Sequence, residues 1–101
     1  MRILVQKFGG TSVVHEEGRT AVAQRVATAL RQGFRTVVVV SAMGRRGDPY
    51  ATDTLLDLAR AAHLEVAPRE LDLIASCGEI ISAVVMVQTL KQHGIRATAL
   101  T

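Results

Sequence analysis

The chain has 101 residues, about one small domain, and 49% hydrophobic against 21% charged residues is typical of a folded α/β protein, not of a disordered or fibrous one. The net charge of +3 is spread along the chain and only three residues are aromatic, which argues against a nucleic-acid-binding surface. The single cysteine excludes an internal disulfide and a cysteine-pair metal site, and we expect a reducing, cytoplasmic location.

Two short β-branched runs predict buried parallel strands. They are RILVQ at residues 2–6 and RTVVVVS at residues 35–41, and turn residues bound each of them. The intervening residues 19–33 repeat apolar side chains at helical spacing, and Gly33 is expected to end that helix. A strand, a helix and a second strand within about forty residues indicate a βαβ unit of a parallel sheet.

The rest of the chain predicts a loop, two helices and a third strand. Residues 42–51 are rich in glycine and charge, and the helix that follows has Thr52 or Asp53 as its expected N-cap. A longer helix is expected to begin at Pro68 and to be closed by Gly94, and residues 95–100 are expected to form a strand. Because parallel sheets normally contain more than three strands, we expect the chain to be the front part of a larger domain.

A glycine turn, KFGGTS at Lys7–Ser12, follows the first predicted strand in a chain that has ten arginines and only two lysines. Glycines between a strand and a helix present backbone N–H groups to an anion and let a ligand approach the main chain. The pattern is neither the P-loop nor the dinucleotide motif, because the lysine precedes the glycines. Lys7 is therefore a candidate contact for a migrating phosphoryl group, to which a compact ammonium is suited. The alternative is a solvated lysine beside an ordinary turn.

Glu79 is the only charged residue between Leu73 and Leu90. A helix that is apolar on nearly all sides is predicted to be buried, so Glu79 is expected to need a cationic partner. The partner is either a ligand ammonium in a cleft or an arginine in a structural ion pair. Gly78 lowers helix propensity, which predicts that another group approaches the backbone there. A membrane span suits this segment less well than a core helix.

The loop after the second strand supplies further candidates. Ser41 is expected at the same sheet edge as Lys7 if the two strands are parallel, where its hydroxyl can bond a phosphate or a substrate. Arg45 and Arg46 can neutralise phosphate, or they are solvated loop residues. Thr52 can donate to a carboxylate at a helix N-terminus. The three histidines are too scattered for a metal cluster and are expected at the surface.

Five segments, in order and spacing, resemble the N-terminal part of aspartate kinases within the amino-acid kinase superfamily. They are KFGGTSV, VVVVSAMG, TDTLLDLA, RELDLIASCGE and ISAVV, and the resemblance covers the whole chain. KFGGTSV is highly specific to this group. The loop GRRGDPYATD looks most like that of the Bacillus-type aspartokinase I, which is known for feedback by diaminopimelate.

The resemblance implies an α/β fold, the N-terminal βαβ portion of a three-layer parallel-sheet kinase domain, and a cytoplasmic, homo-oligomeric enzyme. The implied reaction transfers the γ-phosphoryl of MgATP to the side-chain carboxylate of L-aspartate, giving 4-phospho-L-aspartate for lysine, threonine, methionine and diaminopimelate synthesis. The residues that it assigns to the ATP phosphates are Lys7, Phe8, Gly9 and Gly10, with Lys7 stabilising the transferred group. Ser41 is implied to lie near the nucleotide, and Thr52 and Glu79 to contact aspartate, with Glu79 at its α-ammonium.

Segments that aspartate kinases carry further along, a glycine-rich GRGGSD-type segment and C-terminal regulatory ACT domains, do not occur in residues 1–101. We therefore expect residues 1–101 to be a partial catalytic domain that is inactive alone. Two alternatives stay open, a noncatalytic nucleotide-binding fragment and another carboxylate or carbamate kinase of the superfamily. KFGGTSV and Glu79 disfavour the second.

Overall fold

The computed structural model describes all residues from Met1 to Thr101 and contains two strands and four helices. In chain order they are β1 (Arg2–Phe8), α1 (Gly10–Val13), α2 (Glu16–Arg31), β2 (Phe34–Val40), α3 (Thr52–Ala62) and α4 (Pro68–Gln92). The two predicted strands, the helix between them and the two later helices are thereby confirmed. The one-turn helix α1 was not predicted.

The two strands form a parallel sheet, as the βαβ prediction requires. The register runs from Arg2 opposite Phe34 to Phe8 opposite Val40, so both strands end at the same edge. Helix α2 connects them and ends before Gly33, whose φ of 91° is the left-handed value expected at a helix stop. The parallel α/β fold class is confirmed.

The two faces of the sheet differ in burial. On one face, half-buried side chains such as Phe8, Val38 and Val40 pack against a core formed mainly by α2 and α4. The core residues are Val13, Val22, Ala23, Val26, Met43, Met86 and Leu90. On the other face, Val5 is 62% exposed and Val37 is 48% exposed. Within these 101 residues, helices cover one face of the sheet.

The start of α3 differs from the prediction. Neither Thr52 nor Asp53 is the N-cap, because the cap position is Ala51 and Thr52 is the first helical residue. Ala51 is only 1% exposed, so the chain enters the helix through an apolar packing position where a capping side chain is absent. The Thr54 hydroxyl instead accepts a hydrogen bond of 3.0 Å from the Gly47 N–H.

Helix α4 is less buried than its composition predicted. Its buried residues are Gly78, Ser82, Met86 and Leu90, a single stripe at four-residue spacing, flanked by half-buried side chains such as Ile81 and Val85, and the rest of the helix is exposed. Its 25 residues are long and apolar enough to cross a membrane by length and composition alone. Met86 and Leu90 belong to the core, however, so the stripe packs as that of a core helix.

The predicted third strand is wrong. Residues 95–101 have no regular structure, although Ile95 and Ala97 pack against the core. A groove of about 770 Å³ lies between this segment, β2 and α4. Within residues 95–101 the one backbone hydrogen bond runs from the Ile95 N–H to the Leu90 carbonyl, and none is formed to β2, so the ladder that a third strand requires is absent.

Candidate functional site

The two glycines of the turn after β1 have different surroundings. Gly9 precedes α1 with extended φ and ψ of −75° and 170°, and a side chain added there would meet nothing within 4 Å. Gly10 has no such space, because an added Cβ would collide with the Ala42 carbonyl oxygen and lie 3.0 Å from the Gly44 carbonyl oxygen. Gly9 therefore leaves its backbone open to a ligand, and Gly10 allows close packing against the chain after β2.

The carboxyl ends of β1 and β2 bring Lys7, the glycine turn and Ser41 to one edge. Lys7 lies within β1 opposite Val39, and its exposed side chain makes no ion pair. The Ser41 N–H donates a hydrogen bond of 3.2 Å to the Phe8 carbonyl. The predicted shared edge is confirmed. The half-buried side chain of Phe8 packs on the core, so only its backbone belongs to the turn.

The loop after β2, which we call the bridge loop (residues 42–51), is held at several points. The Gly44 N–H donates a hydrogen bond of 3.0 Å to the Gly10 carbonyl, which joins the loop to the glycine turn. The Asp48 carboxylate accepts a 2.8 Å hydrogen bond from the Arg45 N–H, and the Asp48 N–H donates one of 2.8 Å to the Arg45 carbonyl. The loop is therefore an ordered, internally bonded turn, not a simple solvated connection.

Arg46 binds α3 and not an open anion site. Its guanidinium lies 2.6 Å from the Asp57 carboxylate and 3.8 Å from the Asp53 carboxylate. The Arg46 charge is therefore paired at the surface of the chain, and its role in neutralising phosphate stays a prediction. Arg45 is exposed and makes no ion pair.

The bridge loop also meets α4 near Glu79. A Cβ added to Gly78 would lie 2.9 Å from the Tyr50 carbonyl oxygen and 3.0 Å from the Ala42 side chain. The predicted close approach at Gly78 is confirmed, and the approaching group is the backbone of the loop. Thr52 is half-buried and follows Tyr50 by two residues, so the loop places the first turn of α3 near the segment of α4 that carries Glu79.

Glu79 itself is exposed, and the prediction that it is buried is wrong. It lies next to the buried stripe of α4, not within it, and it forms no ion pair, because both ion pairs of the chain involve Arg46. The structural ion pair with an arginine is therefore also wrong. Its carboxylate faces solvent at the groove beside β2, whose lining includes Glu79 and Val40 but not Lys7 or Thr52.

Histidine and cysteine do not add a metal site. His15, His63 and His93 are all exposed, as predicted, and no group of three His, Cys, Asp or Glu side chains is placed to hold a metal ion. Cys77 is an exposed free thiol.

Sequence reasoning missed Gly44 and Asp48. Gly44 has a left-handed φ of 87°, and the space that its Cβ would fill is occupied by the Asp48 side chain. The available signal was the pattern GRRGD, in which a glycine precedes an aspartate that is placed to bond a nearby backbone N–H. The contact of Gly44 with Gly10 carries no local signal, because it joins residues that are distant in sequence.

The amino acid kinase family model matches residues 2–101. The chain belongs to this family. Aspartokinase 1 of Bacillus subtilis is 52% identical to this amino-acid kinase chain over 101 residues, which is all of the chain and 25% of the relative. The aspartokinase of Geobacillus stearothermophilus is 42% identical over 101 residues, 24% of its length.

Among solved structures, the aspartate kinase from Synechocystis matches with a TM-score of 0.79 and 42% sequence identity, covering 92% of this chain and 15% of that one. The resemblance to aspartate kinases that the five motifs predicted is thereby confirmed. This amino-acid kinase chain spans about a quarter of the length of the curated relatives that it matches.

Proposed function

We propose that residues 1–101 supply the phosphate-binding turn and part of the aspartate site of an aspartate kinase. The proposed enzyme transfers the γ-phosphoryl of ATP to the side-chain carboxylate of L-aspartate, giving 4-phospho-L-aspartate. The observation that carries this proposal is the edge at which β1 and β2 end together, with Lys7, an open Gly9 backbone and Ser41 beside one another. Carboxyl ends of parallel strands are where ligands of open α/β sheets bind.

Lys7, the backbone of Phe8, Gly9 and Gly10, and Ser41 form the proposed nucleotide side. The absence of a Cβ at Gly9 leaves the backbone accessible to phosphate oxygens, and the Lys7 ammonium has no carboxylate partner that would compete for it. Phosphoryl transfer requires chiefly positioning and charge stabilisation, so a lysine that follows the migrating group is a sufficient catalytic contribution from this edge.

Thr52 and Glu79 form the proposed aspartate side. Glu79 is exposed and has no cationic partner in the chain, which supports a role for its carboxylate in binding the α-ammonium of the substrate. Thr52 begins α3, where its hydroxyl and the first backbone N–H groups are suited to a carboxylate.

Magnesium would enter this site with ATP. We propose that it is bound through the nucleotide phosphate oxygens, which are hard donors of the kind that Mg²⁺ prefers. When bound, Mg²⁺ neutralises charge on the phosphate oxygens.

For the whole protein we propose a cytoplasmic homo-oligomer that acts on ATP and L-aspartate at the start of lysine, threonine, methionine and diaminopimelate biosynthesis. The similarity to aspartokinases over all 101 residues supports this proposal. A larger protein would also supply the adenine contacts and regulatory domains that lie outside these residues.

The test uses a chimera, here called the Bacillus chimera, in which residues 1–101 replace the 101 aligned residues of Bacillus subtilis aspartokinase 1. Coupled ADP release is measured with L-aspartate, with L-glutamate and without an amino acid, and the parent enzyme is the positive control. We expect ADP release that depends on L-aspartate. A folded chimera that binds ATP without turnover would favour a noncatalytic nucleotide-binding role, and turnover with another acceptor would indicate a different kinase of the superfamily.

A further inference from the structure

We infer that Asp48 is a positioning residue for the phosphate-binding turn, acting through Gly44. This inference rests on the function proposed above, because it assigns Asp48 a role in holding the backbone that would contact ATP. Asp48 would not touch the nucleotide itself.

The first step is the contact between Asp48 and its own loop. Its carboxylate accepts the Arg45 N–H at 2.8 Å, and its N–H donates to the Arg45 carbonyl, also at 2.8 Å. The Asp48 carbonyl accepts from the Ala51 N–H at 3.3 Å. Asp48 therefore closes the turn of residues 45–48 with both its side chain and its backbone.

The second step is the contact between Asp48 and Gly44. Gly44 adopts a φ of 87°, which side-chain-bearing residues rarely adopt, and the Asp48 carboxylate lies in the space that a Cβ of Gly44 would occupy. Asp48 packs directly on this glycine, so the side chain fixes the position of Gly44 as well as the turn that follows it.

The third step leads from Gly44 to the glycine turn. The Gly44 N–H donates to the Gly10 carbonyl at 3.0 Å, and Gly10 has no space for a Cβ between Ala42 and Gly44. A displacement of Gly44 would therefore either push on the closely packed Gly10 backbone or break the hydrogen bond to the Gly10 carbonyl, and both would loosen the glycine turn. Gly9 and Gly10 form the proposed phosphate contacts. Loosening the turn that Asp48 closes should therefore weaken the binding of ATP more than the binding of aspartate.

The experiment compares Asp48→Ala, Asp48→Ser and Asp48→Asn in the Bacillus chimera. Alanine removes the acceptor for the Arg45 N–H, serine is a weaker acceptor, and asparagine restores an oxygen at the same position without the charge. Asp72→Ala is the matched control, because Asp72 is an exposed residue on α4 whose carboxylate makes no ion pair.

We expect Asp48→Ala to raise KM for ATP about fivefold, as loss of one hydrogen bond would, with KM for aspartate changed less than about twofold. Asp48→Ser should give an intermediate KM, and Asp48→Asn should lie close to the parent chimera. If Asp48→Ala does not fold, the inference is still tested by the Ser and Asn variants, because Asp48→Ser should have the higher KM for ATP of the two.

Equal changes in both KM values, or a result equal to that of Asp72→Ala, would overturn the inference. ATP affinity is also measured by calorimetry without aspartate, so the effect of Asp48 on the turn is observed even in a chimera that does not turn over. A chimera that binds ATP in an Asp48-dependent way without using aspartate would contradict the proposed function and leave the inference supported.

Discussion

Lys7 and Glu79 are two charged side chains to which the chain itself offers no opposite charge. Both are exposed, and both ion pairs of the chain are made by Arg46. Exposed charges without partners contribute little to folding stability, so their removal should change ligand binding or turnover without changing the unfolding midpoint. This separation of activity from stability is the property that distinguishes a ligand contact from a structural residue.

Lys7→Arg is expected to lower kcat of the Bacillus chimera by at least ~10²-fold, because loss of one charge contact in the transition state typically costs a few kcal/mol. The guanidinium keeps the positive charge but is larger and planar, and it cannot follow a migrating phosphoryl group in the same way. The measurement is coupled ADP release under saturating ATP and aspartate. Arg35→Lys, on the same exposed sheet face, is the control and should leave kcat unchanged. Near-parental turnover by Lys7→Arg would refute the catalytic role.

Glu79→Gln is expected to raise KM for aspartate far more than KM for ATP. The substitution keeps the size and hydrogen-bonding capacity of the side chain but removes the charge that would meet an α-ammonium. Because Glu79 is exposed and unpaired, the unfolding midpoint of the chimera should not change. A fall in thermal stability with both KM values unaltered would instead assign Glu79 a structural role.

At the scale of elements, the sequence specified what depends on local pattern. The β-branched runs predicted β1 and β2, helical spacing predicted α2, and Gly33 and Gly94 marked helix ends with positive φ values of 91° and 76°. The edge of the sheet that carries the candidate site could also be predicted, because parallel strands place Lys7 and Ser41 at the same edge.

The errors lie where packing between distant elements decides the outcome. Composition made α4 look buried on all sides, but it fully buries one stripe, where α2, α3, β2 and the bridge loop pack against it. The prediction of a third strand was wrong because strand pairing also depends on distant contacts. Residues 95–101 make no hydrogen bonds to β2, which lies on the other side of the groove. The role of Asp48 depends on Gly44 meeting Gly10, a contact that no local pattern encodes.

Gly78→Ala tests the packing of α4 on the bridge loop. In an unobstructed helix this change stabilises by up to about 1 kcal/mol, because alanine has the higher helix propensity. Here the new methyl group would lie 2.9 Å from the Tyr50 carbonyl oxygen, a backbone atom that cannot rotate away. We therefore expect a net destabilisation of about 1–2 kcal/mol, measured from the thermal or urea unfolding of the Bacillus chimera. The neighbouring Cys77→Ala is the control, and a stabilised Gly78→Ala variant would show that α4 does not pack closely on the loop.

At the scale of the whole molecule, the chain buries few residues and exposes an apolar sheet face. Only 12 of 101 residues are buried, and Ile3, Val5, Val37 and Val39 lie together on the face of the sheet that no helix covers. Both outer edges of the two-stranded sheet are also without a neighbouring strand. Exposed apolar surface and unpaired strand edges both favour association.

We therefore expect the isolated 101-residue chain to be oligomeric or aggregation-prone, and to show no aspartate-dependent ATP consumption. Replacing Val37 and Val39 by threonine keeps shape and β propensity but lowers the apolar character of the exposed face, so the double variant should shift toward monomer in size-exclusion chromatography. Leu64→Thr, which alters a residue that is 78% exposed and lies outside the sheet, is the control and should leave the elution unchanged. The same samples are assayed for ADP release with and without L-aspartate. A sharp monomer peak of the unaltered chain that turns over aspartate would show that residues 1–101 form a complete catalytic unit, because such a chain would need neither a cover for the sheet nor further substrate contacts.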